Sequence, residues 1–170
     1  MNMHVTIRTE RAADVAAIRA VIEVAFSESS HGLDNEPEIV DTLRRAGALS
    51  LSLVAERDGA VVGHVAVSPI RISDGSPGWY GLGPIAVLPE YQRKGIGALL
   101  IREALGTLKK GGANGCVLVG EPTYYGRFGF NSIADLVFAE VPAEYFQALK
   151  SCADFPLDSV SFHEAFATGR

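Results

Sequence analysis

A glycine-containing turn at residues 92–98, with the sequence QRKGIGA, carries the clearest chemical signal in this 170-residue chain. It lies between an apolar stretch that predicts a strand and a periodic stretch that predicts a helix. The first turn of a helix offers free backbone N–H groups and the positive end of the helix dipole. Gly95 and Gly97 lack a Cβ, so an anion can approach closely, and Arg93 and Lys94 add positive charge. The turn is therefore predicted to bind a phosphate or pyrophosphate.

Other nucleotide-binding motifs fit this turn poorly. The dinucleotide fingerprint G-x-G-x-x-G is absent from the sequence, and the turn lacks the G-K-[ST] ending of a P-loop. A nucleotidyl-transfer enzyme would need carboxylates to hold Mg²⁺ beside the turn, and only Glu90 lies near it in sequence. The remaining alternative is a plain helix start in which the glycines serve only to turn the chain.

Pro84 interrupts the apolar strand that precedes the turn, because a proline cannot donate a hydrogen bond to a neighbouring strand. Gly83 beside it weakens the strand further. We therefore expect the sheet to part from a neighbour near residues 83–85 and to expose unpaired backbone groups there. An extended ligand that carries amides can pair with such groups in the manner of a strand. A kinked edge strand is the alternative.

A second motif, residues 120–130, has the sequence GEPTYYGRFGF. Its proline suits the first position of a helix. Tyr124 and Phe128 then lie four residues apart on one face, whereas Tyr125 is turned by about 100° and can point elsewhere. A tyrosine hydroxyl, with a pKa of about 10, is suited to protonate a departing thiolate. The alternative is that both tyrosines only pack their rings.

Periodicity and turn residues predict the elements that position these motifs. The order of elements indicates an α/β (α+β) layer fold in a single domain, residues 1–170. Strands are predicted at residues 4–8, 49–57, 60–72, 79–88, 116–119, 136–141 and 159–163. Helices are predicted at residues 15–25, 37–46, 95–110, 122–128 and 143–150. Asp58 and Gly59 predict a tight hairpin turn between the second and third strands.

Composition and charge restrict the class of protein further. The net charge of −5 disfavours a partner such as nucleic acid or an anionic membrane. Residues 91–130 nevertheless contain six basic and two acidic residues, which favours a small anionic ligand in that region. No apolar run is long enough to span a membrane, and residues 1–14 do not resemble a secretory signal. Cys116 and Cys152 form no metal-binding or redox pair. A cytoplasmic protein without a metal is expected.

Together the two motifs resemble the GNAT acetyltransferase superfamily. Residues 92–98 are similar to its acyl-CoA signature, Q/R-x-x-G-x-G/A, and the stretch IAVLPE before them resembles its fourth strand. The stretch YGRFGF at residues 125–130 is similar to its later Y-x-x-x-G-F segment, and the fuller wording resembles a bacterial subgroup of N-acetyltransferases. The resemblance implies a mixed, mostly antiparallel sheet of about seven strands, splayed between strands 4 and 5 and flanked by helices on both faces.

The resemblance also implies how acetyl-CoA binds as cosubstrate. The pyrophosphate would lie on the glycine turn, and the pantetheine would pair with the backbone of the fourth strand. An N–H of that strand, that of Ala86 or Val87, would polarise the thioester carbonyl. Tyr125 matches the tyrosine that protonates the departing CoA thiolate. The implied cofactor-binding residues are Ile85, Ala86, Val87, Gln92, Arg93, Lys94, Gly95, Ile96, Gly97, Ala98, Tyr124 and Arg127.

The implied reaction is direct attack of a primary amine on the thioester while both substrates are bound. It requires no protein nucleophile, so both cysteines are expected to be inert. No motif identifies the general base. Glu36 is the first candidate because the corresponding region of the superfamily borders the acceptor site; His64 is the second, and His31 is expected to line or cover the acceptor site. Each also has an ordinary structural explanation, such as an acidic helix start for Glu36.

Two functional hypotheses follow. The first is an acetyl-CoA-dependent N-acetyltransferase that acts on a small-molecule or peptide amine. The second is a non-catalytic acyl-CoA-binding or sensing module on the same fold, which would keep the glycine turn but would not need Tyr125. The sequence leaves the class of amine open, and the resemblance is compatible with a homodimer.

Overall fold

The structure, a computed structural model, describes residues 4–27, 35–151 and 154–167. The strands in these ranges are β1 (Thr6–Thr9), β2 (Leu51–Arg57), β3 (Ala60–Pro69), β4 (Arg71–Ile72), β5 (Trp79–Val87), β6 (Gly115–Val119), β7 (Phe146–Lys150) and β8 (Val160–Ser161). The α-helices are α1 (Val15–Ser27), α2 (Glu36–Arg45), α3 (Ile96–Lys110) and α4 (Pro122–Tyr125). Short 3₁₀ turns lie at Ala12–Asp14, Pro89–Tyr91, Gly126–Phe128, Ala143–Tyr145 and Glu164–Ala167.

Within the described residues, six strands form the main sheet in the order β1-β2-β3-β5-β6-β7. Neighbours are antiparallel except for β5 and β6, which run parallel. β4 and β8 pair in a separate small sheet, so β5 and β6 correspond to the fourth and fifth strands of the expected fold. The predicted mixed, mostly antiparallel sheet is confirmed.

The parallel pair of β5 and β6 ends early, at the match of Gly81 with Val117. Beyond this point β5 continues along β3 as far as Val87 while β6 departs. On the β3 side, Gly83 and Pro84 form a bulge, and Gly83 has a φ of 139°, a backbone angle that favours glycine. The main sheet is therefore open between β5 and β6, as the proline in this strand predicted.

Helices cover both faces of the main sheet, as predicted. α3 packs on one face, where alternate strand residues point toward it: Leu53, Val65 and Val67 meet Ile96, Leu100, Ile101 and Ala104. α1 and α2 pack on the other face, where Ile18, Ile22 and Val40 meet Val54, Ala66 and Ala86. Each fully buried Ile or Leu stabilises this arrangement by about 1.5–3 kcal/mol. Among the described residues, no helix is long and apolar enough to cross a membrane.

The hairpin between β2 and β3 forms at the predicted turn. Asp58 and Gly59 have φ values of 51° and 80°, as a two-residue hairpin turn of type I′ requires. A bulge between Ala55 and Glu56 then shifts the pairing by one residue. The shift decides which side chains of β3 share a face with those of β2.

The last third of the chain differs from its predicted elements. Residues 143–150, predicted as a helix, form a 3₁₀ turn (Ala143–Tyr145) followed by β7, because β7 pairs with β6 and this distant pairing overrides the local pattern. Residues 136–141, predicted as a strand, contribute one bridge between Val137 and Ser159. β8 is shorter than the strand predicted at residues 159–163.

Candidate active site

The opening between β5 and β6 is lined by backbone groups of β5 that point away from β3. The Leu88 N–H donates to the Val62 carbonyl on β3 at 2.9 Å. Backbone groups of successive residues in a strand point to alternate sides. Ala86 therefore directs its N–H toward β3, whereas Ile85 and Val87 direct theirs toward the gap. Of the two amides expected to polarise a thioester carbonyl, that of Val87 faces the opening.

Gln92 ties the glycine turn to this edge, since its Nε2 donates to the Val87 carbonyl at 2.9 Å. The turn then enters α3 through Gly95, which has a φ of 86° and whose carbonyl accepts from the Leu99 N–H at 3.1 Å. The N–H groups of residues 96–98 precede that bond and have no carbonyl partner within the helix. The turn thus combines a left-handed glycine with a cluster of amide donors at the positive end of a helix.

Cations surround this end of α3. Nζ of Lys94 lies 5.9 Å from the centroid of the Tyr91 ring, which the Arg57 guanidinium approaches from 5.5 Å. The Arg127 guanidinium lies 4.5 Å from the centroid of the Tyr124 ring. Such contacts hold a positive charge near a ring and leave its N–H groups available to an anion. Such an arrangement suits a pyrophosphate.

α4 carries the aromatic motif to the side of the glycine turn. The Tyr124 ring contacts the rings of Phe128 and Tyr125, with centroid distances of 5.6 and 4.9 Å, so the pair predicted at positions 124 and 128 is confirmed. A Cβ placed on Gly97 would lie 3.1 Å from the Tyr124 hydroxyl oxygen. This hydroxyl therefore stands beside the first turn of α3.

Tyr125 lies just beyond β6, one of the two strands that border the opening. Its ring packs against Gly120 so closely that a Cβ there would come within 2.3 Å of Cε2, and it meets the Phe130 ring edge to face at 6.4 Å. Burial, with a smaller contribution from Tyr124, raises the pKa of Tyr125 to about 12. The hydroxyl therefore keeps its proton throughout the neutral pH range and can donate it.

The candidate bases lie apart from this aromatic cluster. Glu36 is buried in the first turn of α2, on the sheet face opposite α3. His64 is completely buried in β3, and burial lowers the pKa of its imidazole to about 4, which does not suit a base that meets a dissolved amine. His31 lies outside the described residues.

Cys116 is buried, and burial raises the pKa of its thiol to about 12, so it is a packed core residue as predicted. Cys152 lies outside the described residues. In the part of the chain that the structure describes, no three His, Cys, Asp or Glu side chains cluster in a way that could hold a metal ion.

Sequence reasoning missed a chain of polar side chains on the face covered by α1 and α2. It links Arg44 on α2 through Glu10 and Ser52 to His64. Ser52 and His64 are polar residues inside apolar strands, and this pattern is a sequence signal for a buried polar contact. However, a regular hairpin would have placed them on opposite faces, and only the bulge in β2 and β3 brings them together.

The fold and these features are those of the GNAT acetyltransferase family, and comparison with known families agrees. The model described as the Acetyltransferase (GNAT) family matches residues 16–130, and the chain belongs to this family. The resemblance stated from the two motifs is thereby confirmed.

Individual relatives share most of the chain. Uncharacterized N-acetyltransferase YhbS of Escherichia coli K12 is 36% identical over 129 residues, which are 75% of this chain and 74% of YhbS. A GNAT family acetyltransferase from Brucella melitensis, solved in complex with acetyl-CoA, is 49% identical with a TM-score of 0.86, covering 97% of this chain and 99% of that chain. The crystal structure of E. coli YhbS with CoA has 32% identity and a TM-score of 0.89, covering 100% and 96%.

Proposed function

We propose that this protein is an N-acetyltransferase that transfers the acetyl group of acetyl-CoA to a primary amine. The observation that carries the proposal is the opening between β5 and β6, which leads directly to the amide donors and cations at the start of α3. A pantetheine arm fits the opening, and a pyrophosphate fits the start of α3. The Brucella relative, 49% identical, was solved with acetyl-CoA, which supports the same ligand here.

The cosubstrate would bind in two parts. The pyrophosphate would accept hydrogen bonds from the amides of residues 96–98, with Arg93, Lys94 and Arg127 supplying positive charge. The pantetheine amides would pair with the gap-facing backbone of Ile85 and Val87, completing the sheet where β6 has departed. Tyr124 would border the pyrophosphate through its hydroxyl beside Gly97, and Ala86 would hold the strand against β3.

The reaction would be a direct attack in a ternary complex. The amine nitrogen forms a bond to the thioester carbon, the carbon–sulfur bond breaks, and the CoA sulfur leaves with the electron pair of that bond. A gap-facing N–H of β5 would stabilise the negative charge that develops on the carbonyl oxygen. Tyr125 would donate its hydroxyl proton toward the departing sulfur. Bringing both substrates together supplies a large share of the rate enhancement.

The amine must lose a proton before or during the attack. An alkylamine with a pKa of about 10.4 is neutral in roughly one molecule in 2,500 at pH 7, which corresponds to about 4.6 kcal/mol. Glu36, at the start of α2, would accept this proton through water, because the corresponding region of the family borders the acceptor site. A small-molecule or peptide amine is the acceptor class that this chemistry requires.

Calorimetric titration with acetyl-CoA, and separately with NAD and ATP, tests the cosubstrate. Selective binding of acetyl-CoA is the expected result, and its absence would refute the proposal. Thiol release from acetyl-CoA in the presence of a panel of amines then tests catalysis. The panel would include polyamines, aminoglycosides, amino acids and peptides with free N-termini. Binding without thiol release for every amine would favour the non-catalytic acyl-CoA-binding module.

A further inference from the structure

The polar chain that ends at His64 crosses the sheet on the face away from α3. Arg44 donates to both carboxylate oxygens of Glu10, through Nη2 at 2.8 Å and Nε at 2.9 Å. The Ser52 hydroxyl donates to the same carboxylate, and its oxygen lies 2.7 Å from Nε2 of His64. Ser52 and His64 are buried, so no solvent competes for these bonds. The chain thus joins α2 to the central strand β3.

The donors and acceptors along this polar chain determine which nitrogen of the His64 imidazole carries a hydrogen. Burial disfavours ionisation of Glu10, but hydrogen bonds from Arg44 and Ser52 outweigh it and lower the pKa of the carboxyl, so Glu10 can only accept. Ser52 has one hydroxyl hydrogen and gives it to Glu10. The Ser52 oxygen must therefore accept from Nε2–H of His64. Burial lowers the pKa of the imidazole and keeps it neutral, so it takes the tautomer with hydrogen on Nε2, and its Nδ1 has no hydrogen-bond partner among the described residues.

The stretch of β3 held by this imidazole contacts both halves of the proposed cosubstrate site. His64 itself is paired with Ala86, and the adjacent Gly63 is paired with Val87. On the opposite face, a Cβ on Gly63 would lie 3.2 Å from Cδ1 of Leu100 and 3.3 Å from Cγ2 of Ile96. β3 at this level therefore packs against both the edge of β5 and the start of α3.

β5 depends on β3 to an unusual degree in this region. β6 has already departed after Gly81, and the bulge at Gly83 and Pro84 interrupts the pairing with β3. Among the described strands, only β3 pairs with residues 85–87. A displacement of β3 would consequently move the N–H groups of Ile85 and Val87 without correction by a second neighbour.

We propose that His64 is a positioning residue for acetyl transfer: anchored through Ser52 and Glu10, it holds β3 so that the gap-facing N–H of β5 that binds the thioester carbonyl is aligned with it. His64 does not touch the cosubstrate and acts through β5. The inference rests on the proposed function. A misalignment well below 1 Å weakens a hydrogen bond to a developing oxyanion, and misplacement by about 1 Å can reduce turnover by about 100-fold.

The carbonyl of bound acetyl-CoA reports this alignment without any knowledge of the acceptor amine. Infrared difference spectra with acetyl-CoA labelled with carbon-13 at the carbonyl would give the stretching frequency on the wild-type protein. A hydrogen bond from a backbone N–H of β5 lowers that frequency relative to free acetyl-CoA. Ser52→Ala and His64→Leu are expected to lose most of the lowering, with acetyl-CoA affinity within about threefold of wild type because the pyrophosphate site is intact.

Ser68→Ala is the matched control. Ser68 lies on β3 four residues from His64, is completely buried, and its Oγ makes no hydrogen bond to any residue that the structure describes. This variant removes a buried hydroxyl from the same sheet but leaves the polar chain from Arg44 to His64 intact. It should therefore keep the wild-type carbonyl stretching frequency. His64→Gln should recover part of the lowering, because its side-chain amide can donate to Ser52 in place of Nε2.

Three outcomes would overturn the inference. Ser52→Ala and His64→Leu proteins that fold, bind acetyl-CoA and keep the wild-type frequency would show that the polar chain does not align the amides of β5. Variants that fold but bind no acetyl-CoA would show that it shapes the whole site instead. A wild-type protein that binds acetyl-CoA with an unshifted carbonyl would refute the positioning role alone, whereas one that binds no acetyl-CoA would refute the proposed function as well.

Discussion

Tyr125 is held in a neutral form by its surroundings, and this sets what it can contribute. Its pKa is raised to about 12 by burial, whereas a thiol has a reference pKa of about 8.5. Full proton transfer from this tyrosine to a free thiolate is therefore uphill by roughly 5 kcal/mol. A hydrogen bond that strengthens as negative charge develops on sulfur avoids most of that cost. We therefore expect Tyr125 to act mainly by stabilising the departing thiolate.

Tyr125→Phe should bind acetyl-CoA with wild-type affinity and lower turnover by about 100-fold, the lower end of the range for acid–base groups. Calorimetry and thiol release measure the two effects. Tyr124→Phe is the control, because its hydroxyl stands beside Gly97 and should affect cosubstrate affinity more than turnover. Unchanged turnover in Tyr125→Phe would remove Tyr125 from the proposed mechanism.

Gly120→Ala should displace the Tyr125 ring, since a Cβ at this position would lie 2.3 Å from a ring carbon. We expect turnover to fall at least as far as in Tyr125→Phe, with a loss of about 1–3 kcal/mol in the free energy of unfolding from overpacking. Gly106→Ala is the control, because a Cβ on this α3 residue meets nothing within 4 Å and should stabilise the helix by about 1 kcal/mol. Urea unfolding and thiol release measure both changes. Equal turnover in the two variants would contradict the expectation.

At the scale of elements, α3 has a left-handed glycine at each end, which separates backbone strain from ligand binding. Gly95 precedes the helix with a φ of 86°, and Gly112 follows it with a φ of 82°. A Cβ at either position meets no described atom within 4 Å. Replacing either glycine by alanine therefore costs the same kind of backbone strain, about 1–2 kcal/mol.

Gly95→Ala should lower acetyl-CoA affinity by about tenfold, because its Cβ stands where the anion approaches the amides of residues 96–98. Gly112→Ala should lose similar stability and keep wild-type affinity. Calorimetry at several acetyl-CoA concentrations, together with thermal unfolding, distinguishes the two effects. Equal affinity in both variants would show that the pyrophosphate does not bind at this helix end.

The local motifs could be predicted from the sequence because glycine, proline and aromatic spacing report directly on short-range geometry. Pro84 predicted the opening of the sheet, and Gly95 predicted the helix start. The polar chain could not be predicted, because it depends on a one-residue bulge between Ala55 and Glu56 that no local residue type announces. β7 was mistaken for a helix because its strand conformation comes from pairing with β6, far away in sequence.

At the scale of the whole molecule, buried His64 makes stability depend on pH. Burial lowers the pKa of its imidazole from 6.5 to about 4, so between these values the unfolded chain binds a proton that the folded protein does not. The contribution of neutral His64 to the free energy of unfolding is therefore complete above pH 6.5. It is lost as the pH decreases toward 4, by up to about 3 kcal/mol. The carboxyls of Glu10 and Asp14, whose pKa values are lowered, lose their contributions at lower pH.

His64→Gln should be less stable than wild type at pH 7 but lose less stability between pH 6.5 and 4.5. Urea unfolding at several pH values measures both curves. The wild-type slope should approach about 1.4 kcal/mol per pH unit near pH 5, and the slope of the variant should be shallower. Parallel curves would contradict the assignment of this acid sensitivity to His64.

The opening between β5 and β6 also places an unsatisfied sheet edge in the middle of the molecule. Ile85 offers its backbone N–H and carbonyl, and Val87 its N–H, to a strand from another chain as readily as to a pantetheine arm, and such edges nucleate aggregation. Cosubstrate bound in the opening would occupy these backbone groups and prevent this pairing. We therefore expect saturating acetyl-CoA to raise the temperature at which light scattering begins by more than it raises the unfolding temperature. An equal shift of both temperatures would contradict this expectation.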